Sequence, residues 1–430
     1  MLASVLVSAT RRGEGEAVQG YVDRRGLGQP VIHVSLRKYR LTEARIEAVM
    51  LIGYHPINEE RMTMSDNKKI YGRVLQALKK RMKGVPQKHT VRWSMMVAGI
   101  VMGKKAQLSA ISTEIPSEAK DISTFRRLQR FVSDDSVDVL EHYMPFASQV
   151  LKALSKNELI FAIDGSQVGK GCMVLMIGVV YMNRLLPLTW LVYEGKKGHA
   201  SAALHVQVLE QLLPLVPSNA KVSIVGDGEF DNIEMIKWID ENTNWTYALR
   251  TAKSTQIQCG EEQKRIECLA QRGEVIGLDN TFYTNQKYGP INVIAWWDEQ
   301  YDEPIYLLTN IDDMDKVCSL YRMRPLIETL FSDQKSRGFG IGKSHLSDPK
   351  KVNRLLMATC LAYLWIVWLG TRVLSNGQIE MISHGSRCDK SLFRLGLDWL
   401  KHLLKHSKKF IVSFTIHAPL PVHTKWRVVV

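Results

Sequence analysis

The spacing of apolar residues changes character three times along this chain. Between Tyr71 and about Lys156 it is helical. VLQALKKRMKG (74–84) is basic and amphipathic, and VRWSMMVAGIVMG (91–103) and AQLSAIST (106–113) are apolar stretches of helical length. STFRRLQRFV (123–132) sets Phe125, Leu128 and Val132 on one face and Arg126, Arg127 and Arg130 on others. From residue 159 the runs shorten. LIFAID (159–164), CMVLMIGVVYM (172–182) and LLPLTWLVYEG (185–195) predict three strands, the last two joined by a tight Asn183-Arg184 turn. A helix (201–216), a buried strand KVSIVGD (221–227), a helix (231–240) and a strand WTYALRT (245–251) follow. This order predicts an α/β sheet of mixed direction, with Asp164 and Asp227 each closing a strand.

Residues 252–318 are polar with short alternating segments such as EVIGLD, NVIAWWD and PIYLLTN, which predicts a small β insertion. Helical spacing resumes near Met314 and runs through the segment around Glu328, the apolar run 355–370 and LFRLGLDWLKHLLKH (392–406). Before Met64 the chain is rich in charge and glycine without sustained periodicity, which predicts an upstream extension, disordered and without a catalytic role. The expected organisation is an extension (1–63), a helical domain (64–156), a core in two parts (157–251 and 319–370) split by the insertion (252–318), and a C-terminal helical region (371–430).

Composition narrows the partner. With 57 basic and 43 acidic residues the chain carries +14, which favours a polyanion, nucleic acid or an anionic membrane. The start, MLASVLVSATRRGEGE, sets its apolar stretch before its charges, the reverse of a secretory signal. The run LLMATCLAYLWIVWLG (355–370) falls short of the roughly 20 residues that span a bilayer, so a core helix is expected and no membrane partner. None of the six cysteines forms a CxxC pair, so reduced thiols in a cytoplasmic protein are expected, not a zinc site or a disulfide framework. Short helices bearing Arg126, Arg127 and Arg130 suit a DNA-end-binding domain, although a helical domain with a solvated basic face reads the same way.

The chemistry concentrates in YRMRPLIETLFSDQK (321–335). On one helix Tyr321, Arg324, Glu328 and Lys335 would share an arc of roughly 60°. A carboxylate flanked by cations suits a divalent metal beside a phosphodiester. Asp164 and Asp227 can complete such a site, though each alone also reads as a loop cap. Arg250 and Lys253 follow a strand and are candidates for phosphate contact or for a solvated loop. Lys170, Lys196 and Lys197 lie near hairpin ends and are candidates, on charge alone, for lining a DNA path. Of Trp296 and Trp297, strand alternation puts one inward and one outward.

Tyr321-x2-Arg324-x3-Glu328-x6-Lys335, with FAIDGS and KVSIVGDGEF upstream, resembles the signature of DDE transposases of the insertion-sequence-four type over roughly residues 64–410. The resemblance implies an RNase H-like mixed-sheet α/β core with a β-strand insertion domain and an N-terminal helical DNA-binding domain. It implies Asp164, Asp227 and Glu328 as the triad holding two Mg2+ ions, with Mn2+ able to substitute. Tyr321, Arg324 and Lys335 would hold phosphates of the transposon end, and an aromatic of the Trp296-Trp297 pair would stack on a flipped base. The partners implied are double-stranded DNA, as terminal inverted repeats and as target, and a second copy in the DNA complex, in the cytoplasm at the nucleoid. Pro325 departs from the aromatic residue common in the family. Proline is tolerated in a first helical turn, which allows a helix start at Pro325 with Tyr321 on a preceding turn or helix. The alternatives are another RNase H-like metal-dependent endonuclease and a non-catalytic DNA-binding relic.

Overall fold

The computed structural model describes residues 64–383 and 389–417, together with the backbone of three short strands near the start of the chain. Those strands, β1 (Ala3–Ser8), β2 (Ala17–Asp23) and β3 (Val31–His33), pair antiparallel in a sheet of their own. The rest of the expected upstream extension lies outside the described residues, as does Cys388. The other five cysteines are free thiols.

Five helices open the second unit: α1 (Met64–Arg81), α2 (Gln87–Gly103), α3 (Leu108–Glu114), α4 (Asp121–Val132) and α5 (Val139–Leu154). Lys104 ends α2 in a left-handed conformation, and the Asp138 side chain caps α5 by accepting from the Glu141 amide.

The sheet has ten strands in one continuous order, β10-β9-β11-β12-β13-β8-β7-β4-β5-β6. Its centre is β4 (Leu159–Gly169), β5 (Cys172–Tyr181), β6 (Arg184–Glu194), β7 (Val222–Gly226) and β8 (Thr246–Arg250). The first three pair antiparallel, and β7 and β8 run parallel to β4. Helices α6 (Ala202–Leu212) and α7 (Ile233–Asn242) provide the crossovers that parallel pairing requires. The β5–β6 turn falls one residue earlier than the sequence predicts, on Met182-Asn183 with φ of 47° and 65°, the left-handed pair that matches strand twist in a two-residue hairpin.

The insertion is an extension of this sheet. Its strands are β9 (Gln256–Cys259), β10 (Glu262–Arg265), β11 (Val275–Tyr283), β12 (Tyr288–Trp296) and β13 (Ile305–Thr309). β13 pairs antiparallel with β8, Leu307 opposite Arg250, so the backbone groups along that edge of β8 are satisfied by the insertion.

Among the described residues four helices complete the unit: α8 (Met314–Tyr321), α9 (Leu326–Gln334), α10 (Pro349–Ser375) and α11 (Leu392–Lys405). Asp348 caps α10 by accepting from the Lys350 and Lys351 amides, and Pro349 fills its first position. α10 is the apolar run foreseen as a core helix; it runs past the expected boundary at 370, and Leu355 to Gly370 are buried along their whole length. It packs on α2, α4, α5, α9 and α11 and on β4 and β6. A helix apolar on all sides needs cover on all sides, and the N-terminal helices supply part of it within one compact unit, Met62–Val430.

α10 and α11 approach closely because glycines face backbone. A Cβ on Gly370 would lie 1.9 Å from the Leu392 carbonyl oxygen, and one on Gly396 1.8 Å from that of Ile366. Gly370→Ala or Gly396→Ala is therefore expected to push the helices apart and cost about 1–3 kcal/mol. A thermal melt unchanged by either substitution would show that this close approach does not hold the core.

Candidate active site

Asp164 does not close its strand: β4 continues to Gly169, and Asp164 sits mid-strand opposite Met176. What ends there is the pairing with β7, whose last rung is Ile163 with Gly226. Asp227 follows that rung directly, so the two aspartates emerge side by side where the parallel strands part. Glu328 comes from the first turn of α9.

The four signature residues do not share one helix. Tyr321 ends α8, residues 322–325 form a turn, α9 starts after Pro325, and Lys335 lies just beyond its end. The roughly 60° stripe is thus replaced by a helix-turn-helix, because Pro325 can neither donate an amide hydrogen nor sit deep within a helix.

This arrangement brings Arg324 to the centre. Its Nη2 lies 2.5 Å from Asp227 Oδ2 and 3.2 Å from Asp164 Oδ2, and its Nη1 lies 2.5 Å from Glu328 Oε1. The other oxygens of the aspartates are held by backbone: Asp164 Oδ1 accepts from the Gly165 amide at 2.7 Å and Asp227 Oδ1 from the Glu229 amide at 3.1 Å. Among the described residues no three acidic, histidine or cysteine side chains are closed up as a ready metal cluster; here the guanidinium stands at the point of convergence. The donor set nevertheless fits a hard divalent ion, being three carboxylates that already converge on a cation. Burial pushes the Asp164 carboxyl up to about 6, Arg324 opposes that shift and Asp227 adds to it.

The flanking residues lie near this cluster. Lys335 Nζ donates to Ser166 Oγ at 2.6 Å, and Ser166 lies two positions beyond Asp164 on the same face of β4. Burial lowers the Lys335 pKa, Lys197 lowers it further and Asp164 raises it. Tyr321 is buried, which raises its pKa, while Arg250 and Arg324 beside it act the other way. Trp296 is buried under the Arg322 guanidinium, 4.7 Å from the ring centroid; Trp297 is half-buried and donates to the Tyr301 carbonyl. Arg127 and Arg130 line a second, basic cavity of about 470 Å3 with Lys88 and Arg92, while Arg126 is exposed on the same helix.

Two supporting residues, Glu229, which also reads as a possible ligand beside Asp227, and His205, which reads as structural or surface, have partners that the sequence does not supply. Glu229 Oε1 accepts from the Ala200 amide at 3.1 Å, tying the Gly-Lys-Lys-Gly-His loop after β6 to the turn that carries Asp227. His205 on α6 is buried, lies 4.8 Å from the Phe230 ring and accepts at Nδ1 from Asn232 Nδ2 at 2.8 Å. Asn232 in turn caps α7 through its Oδ1. The helix expected over 231–240 takes Asn232 inside it; an asparagine before an apolar run is the signal for this cap, whereas its histidine partner, a crossover away, leaves none.

The transposase DDE domain family matches residues 149–365 of this chain. No curated protein matches it. Among solved structures it is similar to the piggyBac transposase in a cryo-EM synaptic complex with hairpin DNA, at 11% identity and a TM-score of 0.41, with 81% of this chain and 80% of that chain covered.

Burial pushes the His205 pKa down to about 4, with Asp227 acting in the opposite direction. An unfolded histidine titrates near 6.5, so between about pH 6.5 and 4 the unfolded chain binds more protons and stability falls as pH falls. His205→Gln is expected to remove up to about 2 kcal/mol of the loss between pH 6.5 and pH 5. Melting both proteins across that range tests it; equal acid losses would mean that His205 is not held neutral.

Proposed function

The chain belongs to the transposase DDE domain family and is a DNA transposase, and we propose that it is a cut-and-paste enzyme of the insertion-sequence-four type, with Asp164, Asp227 and Glu328 as its catalytic triad. The observation that carries this reading is the convergence of those three carboxylates, from β4, the end of β7 and α9, on one guanidinium. The order β6-β5-β4-β7-β8, three antiparallel strands followed by two parallel ones, supports an RNase H-like core.

In this reading the triad holds divalent ions, Mg2+ with Mn2+ as substitute, which when bound activate the attacking oxygen and stabilise the leaving one. The chain's own residues orient the DNA around that point. Lys335, braced by Ser166, presents a positive point charge to the phosphate beside Asp164. Arg324 offers a planar fork that fits phosphate oxygens in pairs. Tyr321, packed beside Arg250 and Arg324, holds the turn against the sheet. Water is the first nucleophile, freeing a 3′-hydroxyl at the transposon end; that hydroxyl then attacks target DNA in the same site. Trp297 is the better placed of the tryptophan pair for stacking on an unpaired base, since Trp296 is buried. The basic cavity beside α4 is a seat for duplex backbone, and a dimer joining two transposon ends at the nucleoid is the working assembly.

Asp227→Asn and Glu328→Gln are expected to reduce cleavage of transposon-end DNA in Mg2+ to background while DNA still binds. Normal cleavage by either variant would move the site elsewhere. Wild-type protein should also join 3′-hydroxyl ends to target DNA, and cleavage without joining would favour a nuclease. Arg127→Ala with Arg130→Ala should weaken DNA binding and lower the slope of log affinity against log salt by about two, one for each phosphate no longer neutralised. An unchanged slope would remove α4 from the DNA interface.

A further inference from the structure

We propose that Arg324 is a positioning residue that stands in for the divalent ions before they arrive. Its guanidinium keeps the three carboxylates gathered, must withdraw before a cation can reach them, and is drawn away by an incoming DNA phosphate. The inference rests on the triad reading above and adds an order of events to it.

Each aspartate has one oxygen committed to a backbone amide and turns the other to Arg324. Glu328 also turns an oxygen, Oε1, to the same guanidinium. A cation held by both aspartates through their unshared oxygens would take the positions that the guanidinium now occupies, so the two occupants compete there.

Charge balance points in the same direction. Asp164 is buried, Asp227 partly so and Glu328 exposed, and gathering the three is opposed by like-charge repulsion that a counter-charge relieves. Arg324 supplies one positive charge and holds the constellation together. Divalent ions supply more, so exchange is favourable once the guanidinium has another anion to bind.

Arg324 is itself poised to leave. It sits in the 322–325 turn between two helices and not within either, so its side chain is free to redirect without unwinding a helix. Its Nε is buried and has no hydrogen-bond partner, whereas both terminal nitrogens are engaged. A phosphate that takes Nε together with one terminal nitrogen would use the donor that the carboxylates leave unpaired. Metal and DNA then bind with positive coupling, each favouring the state the other requires, and the coupling is reciprocal. Metal-loaded carboxylates are thereby kept scarce until a phosphodiester is present.

The test is Mn2+ titration of the full chain, followed by calorimetry and by the resonance signal of free Mn2+, with and without a duplex oligonucleotide. Without DNA, Arg324→Ala should bind Mn2+ about tenfold more tightly than wild type, a size ordinary for coupled sites. Adding the duplex should tighten Mn2+ binding to wild type and leave the variant nearly unchanged. Arg324→Gln provides the same comparison should the alanine variant fold poorly. If Arg324 merely braces the carboxylates, its removal will loosen them and Mn2+ will bind equally or more weakly; either outcome overturns the proposal. Asp227→Asn separates the two levels of inference. If it leaves Mn2+ binding intact, the triad reading itself fails; if it abolishes binding while Arg324→Ala fails to strengthen it, only the placeholder role falls.

Discussion

Like charges assemble in a folded protein only where something offsets their repulsion, and here three carboxylates, from buried Asp164 to exposed Glu328, meet on one guanidinium. The aspartates emerge where β7 stops pairing with β4, so the sheet brings them side by side by topology alone. Glu328 must be delivered from far along the chain, and α9 delivers it. Arg324, one turn ahead of Glu328, provides the counter-charge. Burial raises the Asp164 pKa and Asp227 adds to it, while Arg324 works against both.

That delivery relies on α10. Since every side of it is apolar, the helix draws the sheet, the N-terminal helices and α11 into one core. β4, which carries Asp164, and α9, which carries Glu328, both pack against it. The N-terminal helices supply part of that cover: with them removed, a long apolar surface would be left to water. It also means that a DNA contact on α4 would be linked to the core through packed side chains and not through a linker.

Much of this was legible in residue order. The change of period from helix to strand at residue 159, the hairpin after it, the two crossover helices and the buried helix at 355–370 follow from hydrophobic spacing, which is a local signal. The acidic residues were found through their company: an aspartate after an apolar run, and a glutamate between an arginine and a lysine at fixed spacing. The errors have local causes as well. The single arc for the four signature residues gives way to the alternative that Pro325 offered, a helix starting there with Tyr321 on the preceding one, and ending the first strand at Asp164 overlooked the polar rungs, Ser166 and Gln167, that still pair with β5.

The sequence by itself determined which segments are helix or strand, which acids stand beside apolar strands, and that a polyanion is the favoured partner, because these depend on periodicity, composition and neighbours. Only the tertiary structure decided that Arg324 holds all three carboxylates at once, that Ser166 braces Lys335, that His205 and Glu229 secure the turn bearing Asp227, and that the insertion lengthens the central sheet. Each of these joins residues distant in the chain, and side-chain electrostatics act across space, so no pattern read along the backbone could have contained them.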